Sequence, residues 1–256
     1  MTIPLLFLVF FGASLAWRPQ QGDRFQWQLS GEHIDTSVDA DIYDIDLWTK
    51  DQTGWNYLKS HGKKIICYFS AGSYDHNRPD AHLFHSSDKG NKMNGWDELW
   101  LDIRSANVRK IMLARLDMAK SKGCDGVEPD NVDGYADGQN TGFHFTAHDQ
   151  IEYNRWLATE ARARHLAVGL KNDVDQIAQL HSNFDWALNE QCHKYHECEG
   201  YRSFTEEGKA VFNVEYIHST SHQLTSSERA FCTHPNLPGM TTQFKLESVT
   251  SFRILC

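Results

Sequence analysis

The chain is predicted to fold as a single α/β domain, a (β/α)8 barrel. Three observations predict it: short apolar runs recur along the sequence, each ends in polar residues, and most are followed by a segment of helical periodicity. Strand–helix alternation calls for parallel strands with right-handed crossovers, because a right-twisted strand feeding a helix packs back onto its sheet that way. Eight such units fit this length as a barrel better than as an open doubly wound sheet, whose G-x-G-x-x-G turn after the first strand is missing.

The first residues, "MTIPLLFLVFFGASLAW", carry an apolar run from Ile3 to Phe11 and then small residues, with Ser14 and Ala16 at the −3 and −1 positions of a signal-peptidase site. Residues 1–16 are therefore expected to be a secretory signal, leaving 17–256 as the barrel domain of an extracellular protein. The apolar run is too short to span a bilayer, and no later stretch is long enough, so no membrane association is expected. In an oxidising compartment the six cysteines read as disulfides before metal ligands.

"RFQWQL" (24–29) is the first expected strand and "DIYDIDL" (41–47) the second, followed by a helix in "TGWNYLKSHG" that ends at Gly62. "KKIICYFSAGS" (63–73) is the third strand. "NVRKIMLARLDMAKSKG" reads as a helix ending at Gly123, with Lys120 and Lys122 in its last turn. "CDGVEPDN" (124–131) is the fourth strand, and "TAHDQIEYNRWLATEARARH" follows as a helix with apolar positions Ile151, Trp156, Leu157 and Ala161. "HLAVGLKND", "FDWALNEQC", "KAVFNVEY" and the weaker "MTTQFKL" complete eight strands.

In a barrel of this type, functional residues sit at the C-terminal strand ends, and each lumen layer draws its side chains from alternate strands. Asp46, Asp130 and Glu190 end the second, fourth and sixth strands, three carboxylates expected at matching height. Two carboxylates across a sugar are the minimum equipment for glycoside hydrolysis, and Asp130 with Glu190 is the pair singled out. As structural alternatives, Asp130 is a turn residue after a proline and Glu190 a buried partner of Lys171. Glu128, two residues before Asp130, lies on the same face one layer deeper, where a salt-bridge role is expected. Trp27, Tyr43, Trp48, Tyr68, Trp96, Trp100, Tyr135 and Tyr216 offer flat faces for sugar rings, though most are core candidates. Asn131, Lys171, Asn172 and Gln191 offer groups that read hydroxyls.

Other motifs are weaker. "CHKYHEC" offers Cys and His ligands at a spacing that matches no standard zinc finger, and a local Cys192–Cys198 bridge is expected instead. Cys232–Cys256 is expected to pin the C-terminal segment, and Cys67 with Cys124 either pair or stay buried thiols. "HFTAH" lacks the Glu of a zinc peptidase, and "DGYADG" lacks the ligands of a calcium loop, so no metal and no cofactor are expected. A net charge of −9 without a Lys/Arg-rich stripe argues against nucleic acid as a partner.

Together, "WQLSGEHID", "YDIDLW", "GKKIICYFSAGSYDHNRPD", "WLDIR", "GCDGVEPDNVDGY", "LAVGLKND", "NEQC" and "GKAVFNVEY" resemble glycoside hydrolase family 114, the endo-α-1,4-polygalactosaminidases, from about Phe25 to Tyr216. The resemblance implies a (β/α)8 barrel and an endo-acting enzyme on galactosamine polymers. It places the acid of the family's "EPDN" motif on Asp130 and that of its "NEQC" motif on Glu190. It also gives the acidity a meaning, since Asp44, Asp46, Glu128, Asp130, Asp133 and Glu215 would attract a cationic polysaccharide. Tyr68, Trp27 and Tyr216 join the expected substrate-binding set, and a monomer is expected. The alternatives are a carbohydrate-binding barrel without catalysis, or a glycosidase on another amino sugar or an α-galactoside.

Overall fold

The computed structural model describes residues 17–136, 138–233 and 237–256; the segment expected to be a signal, 1–16, lies outside them. Eight main strands occur in chain order: β1 Phe25–Gln28, β2 Ile42–Asp46, β3 Lys64–Ser70, β4 Gly126–Asp130, β5 Ala167–Lys171, β6 Trp186–Glu190, β7 Val211–Ile217 and β8 Met240–Leu246. Each pairs in parallel with the next, so the sheet curls with every C-terminal strand end on one rim.

Among the described residues no ladder runs from β8 back to β1. The C-terminal segment occupies that seam instead. Ile254–Leu255 pairs antiparallel with β8, making nine strands. Leu29 and Ser30 donate their N–H groups to the Val249 carbonyl at 2.9 and 3.2 Å, and Gln26 Nε2 donates to the Ser251 carbonyl at 2.8 Å. The difference from a sheet closed strand to strand has a physical cause, because β1 is only four residues long and its free edge still needs partners.

Three helices fill the early crossovers: α1 Gln52–Ser60, α2 Ala106–Lys122 and α3 Ala147–Ala163. Their ends follow local chemistry. Asp51, Ser105 and Thr146 accept backbone N–H groups as N-caps, and α2 stops at Gly123 in the left-handed region at φ 81°. After β5, β6 and β7 the crossovers carry, among the described residues, only short helices such as Ile177–Leu180, Cys192–Tyr195 and Ser226–Ala230. Between β3 and α2 the chain leaves the barrel pattern to form an antiparallel sheet of Ser73–Tyr74, Leu99–Leu101 and Lys89–Lys92.

The two faces of the main sheet bury separate apolar clusters. Phe25, Trp27, Ile42, Ile66, Trp186, Leu188, Phe212 and Val214 fill the inner side, where the Phe25 and Phe212 rings stack at 4.1 Å. Gly169 makes room for this layer, since a Cβ there would meet the Trp186 ring at 2.4 Å. On the other face Ile45, Ile65, Phe69, Val127, Val168 and Leu170 meet Leu116, Leu157 and other helix residues. All six cysteines pair: Cys67–Cys124 ties β3 to the chain two residues before β4, Cys192–Cys198 closes a short loop after β6, and Cys232–Cys256 holds the C-terminal segment. No helix among the described residues is long and apolar enough to cross a membrane.

Candidate active site

The rim of C-terminal strand ends opens into a cavity of about 260 Å³. Its floor is the end of the inward-facing layer: Trp27 from β1, Tyr68 from β3, Asp130 from β4, Lys171 from β5, Glu190 from β6 and Tyr216 from β7. Lys171 is the centre of the arrangement. Its Nζ lies 2.9 Å from Glu128 Oε1, 3.2 Å from Asp130 Oδ1 and 3.4 Å from Glu190 Oε2, and it sits over the Trp27 ring at 4.7 Å. Burial alone would depress this ammonium, but Asp130, Glu128 and Glu190 outweigh it and hold its pKa well above the ordinary value. Lys171 is therefore a fixed positive charge.

The two carboxylates differ in their surroundings. Asp130 Oδ2 accepts the Tyr68 hydroxyl at 2.8 Å, while Oδ1 accepts the Asn131 backbone N–H at 2.8 Å. Glu190 Oε1 accepts the Tyr216 hydroxyl, and Oε2 accepts Asn172 Nδ2 at 3.0 Å. Burial, and then the charges of Asp130 on Tyr68 and of Glu190 on Tyr216, raise both phenol pKa values, so both remain donors.

Local backbone explains how short side chains reach these positions. Asn131, Asn172 and Gln191 each follow the last residue of their strand and take left-handed φ values of 60°, 47° and 67°. Such turns suit Asn more than most residues. They swing the following amides back over the strand end, so Asn172 Oδ1 accepts the Glu190 N–H at 2.9 Å while its Nδ2 holds the Glu190 carboxylate. Gly72 permits the same economy beside β4: a Cβ there would lie 1.7 Å from the Asn131 carbonyl oxygen.

Of the residues expected from sequence, Trp27, Tyr68, Asp130, Asn131, Lys171, Asn172, Glu190 and Tyr216 come together on the cavity wall. Glu128 lies beneath it, fully buried, accepting Trp27 Nε1 at 2.9 Å and binding Lys171. Four residues expected near substrate lie elsewhere. Asp44 is fully buried below Glu128, out of reach of a substrate, and burial together with the Glu128 charge raises its pKa well above the ordinary carboxylate value. Asp46 pairs with Arg78 at 2.6 Å and faces a neighbouring groove with Trp48 and Asp75; the strand register sets it level with Tyr68 and Glu128, two residues below Asp130 and not at the matching height expected. Gln191 turns to Lys194. Glu215 projects from β7 on the side away from Tyr216, where it accepts the His193 N–H at 2.9 Å and Asn213 Nδ2 at 3.0 Å.

Sequence reading missed Met93, Asn94, Glu98 and Gln139 on the wall, and Trp96 and Trp100, named only as general aromatics, are there too. The signal was available. The stretch between the third strand and the next helix is far longer than an ordinary βα connection, and long excursions at a barrel mouth are commonly functional. Asp133 also lines the cavity, with its pKa pushed to about 6 by burial and by the Asp130 charge. The zinc reading of "CHKYHEC" is closed chemically, because the Cys192–Cys198 bond uses both sulfurs.

The model of the glycoside-hydrolase family GH114 matches residues 10–256. The crystal structure of Aspergillus fumigatus Ega3 in complex with galactosamine is similar to this chain at 43% identity, over 94% of this chain and 97% of that one, with a TM-score of 0.88. The glycoside hydrolase domain of PelA from Pseudomonas aeruginosa shares the fold at 13% identity, over 91% and 97% of the two chains, with a TM-score of 0.67. A search of the curated proteins finds no match. The family match over nearly the whole length and the similarity to Ega3 together identify the chain as a glycoside hydrolase belonging to family GH114.

Proposed function

We propose that this protein is a secreted, endo-acting (β/α)8 glycosidase that hydrolyses α-1,4-linked galactosamine polymers, with Asp130 as nucleophile and Glu190 as general acid and base. The observation that carries the catalytic assignment is the single Lys171 ammonium held between the two carboxylates inside one cavity. Contacts of 3.2 and 3.4 Å to one nitrogen cap the distance between those two oxygens at their sum. Retaining enzymes hold the pair about 5–5.5 Å apart and inverting ones about 6.5–9.5 Å; the cap admits the retaining spacing and only the lower edge of the inverting one. The amino-sugar substrate is supported by the 43% identity to Ega3, whose crystal structure holds galactosamine. Secretion is supported by three disulfides.

Both acids receive hydrogen bonds on both oxygens and the Lys171 cation on one, so the roles are assigned by reach. Asp130, short and held behind Pro129, attacks the anomeric carbon, and Glu190 has the longer arm that reaches the leaving oxygen and then a water. As the new C–O bond forms, the bond to the leaving oxygen breaks and Glu190 gives that oxygen its proton. Water then attacks the glycosyl–Asp130 ester, Glu190 takes a proton back, and the sugar leaves with its configuration retained.

Asp130→Asn should lower kcat on the polymer on the order of 10³-fold or more while leaving the unfolding transition in place. Glu190→Gln should cost about 10²–10⁴-fold on the polymer, but an aryl glycoside whose leaving group needs no proton should keep much of its bond-breaking step, with azide accelerating release of the trapped sugar. Azide rescue of the Asp130 variant instead, with inverted product, would exchange the two roles; near-normal rates in both variants would place the chemistry elsewhere.

A further inference from the structure

Glu98 stands one residue before the central strand of the small sheet that covers the cavity, and it lines the same wall as Asp130 and Glu190. It is half-buried and accepts the Ser73 hydroxyl, but no ion pair reaches it among the described residues. The cations nearby are already committed. Arg78 pairs with Asp46 at 2.6 Å and Asp75 at 3.1 Å, and Lys171 is shared by Glu128, Asp130 and Glu190. Burial, opposed by the Ser73 bond and aided by the charges of Asp75 and Asp130, leaves the Glu98 carboxyl with a raised pKa. A carboxylate so placed is held at a cost unless a positive partner arrives with the ligand.

Resting on the substrate reading above, we propose that Glu98 reads the ammonium group of the bound amino sugar and sets the preference for free amine over acetamide. An ammonium forms a charge-assisted hydrogen bond with this carboxylate. A neutral acetamide leaves the carboxylate desolvated and unpaired, and that difference discriminates more strongly than a loss of contact area would. The preference belongs to the cover, not to the strand ends that hold the reacting groups, so it can be changed without touching them.

The test compares wild type, Glu98→Gln and Ser73→Ala on de-N-acetylated and N-acetylated α-1,4-galactosamine polymers of equal length. Glu98→Gln should lower kcat/KM on the free amine roughly 10- to 100-fold, mainly through KM, and leave the acetylated polymer unchanged or improved. Ser73→Ala removes the hydroxyl but keeps the charge and should preserve the preference. An equal loss on both polymers in Glu98→Gln, an unchanged preference there, or a preference that collapses in Ser73→Ala would each overturn the proposal. Titration of galactosamine against galactose separates this inference from the polymer assignment. Wild type should bind the amino sugar roughly tenfold more tightly and Glu98→Gln should not, even if neither polymer is cleaved; equal binding of the two sugars by wild type also overturns it.

Discussion

Asp173 shows how a residue just behind the site can link stability to pH. It follows Asn172 in a left-handed turn, and Asn154 Nδ2 binds both its Oδ2 and the Val132 carbonyl at 2.9 Å, tying together the loops after β4 and β5. Burial, with the nearby Asp133 charge, raises its pKa to about 8 from 3.8. Between those values the folded state holds a proton that the unfolded state has lost, so stability falls as pH rises. The contribution is full below the unfolded pKa and gone once pH passes the folded one. Asp173→Asn keeps an acceptor for Asn154 and removes the titration. Its unfolding free energy relative to wild type should rise by about 4 kcal/mol between about pH 5 and about pH 8, measured by denaturant titration. Parallel stability curves for the two proteins would mean that Asp173 is ionised in the fold throughout.

At the scale of elements, the excursion between β3 and α2 acts as the cover of the site. Trp96 is 60% exposed on a wall shared by the cavity and by an adjoining groove that also holds Lys92, Asn94 and Asn140. On the proposed function, this exposed indole beside the cavity is a stacking face for a sugar ring. Trp96→Ala should raise KM on long polymer about 3- to 10-fold with kcat little changed, whereas equal effects on polymer and on a one-sugar aryl glycoside would remove the groove from substrate binding. The disulfides differ in the loops they close, with sequence separations of 57 for Cys67–Cys124 and 6 for Cys192–Cys198. Loop-closure entropy then ranks them: replacing the first pair with alanines should cost about 4 kcal/mol and the second about 2 kcal/mol. Chemical denaturation of the two double variants checks the order.

Over the whole molecule the net charge is −9, and the cavity wall gathers Glu98, Asp130, Asp133 and Glu190 against Lys171. A cationic polymer is drawn to such a surface from a distance, but exposed charges are screened over about 8 Å near physiological ionic strength. The Michaelis constant for de-N-acetylated polymer should therefore climb with salt, while that of a neutral aryl glycoside should stay flat. A salt response shared by both substrates would assign it to folding or solubility.

Periodicity and capping made the eight strands, their order and the first three helices legible, because these depend on neighbours in the chain: Ser105 caps α2 and Gly123 ends it whatever lies across the sheet. Motif position likewise put Asp130, Lys171 and Glu190 at strand ends. Which face a rim side chain takes, and what covers it, is decided by contacts between residues far apart in sequence. Glu215 and Tyr216 are adjacent on β7 and so take opposite faces, but that Tyr216 is the one turned in to Glu190, with Glu215 accepting the His193 N–H outside, is set by packing across the sheet. Asp44 reads as a site acid, but packing beneath Glu128 buries it fully and raises its pKa. Glu98 had no strand to announce it, and the sheet formed by 73–74, 89–92 and 99–101 brings it to the cavity through antiparallel pairing that no local pattern encodes. Tertiary structure alone likewise settled the seam, where the short β1 leaves an unpaired edge and the C-terminal segment supplies the missing partners.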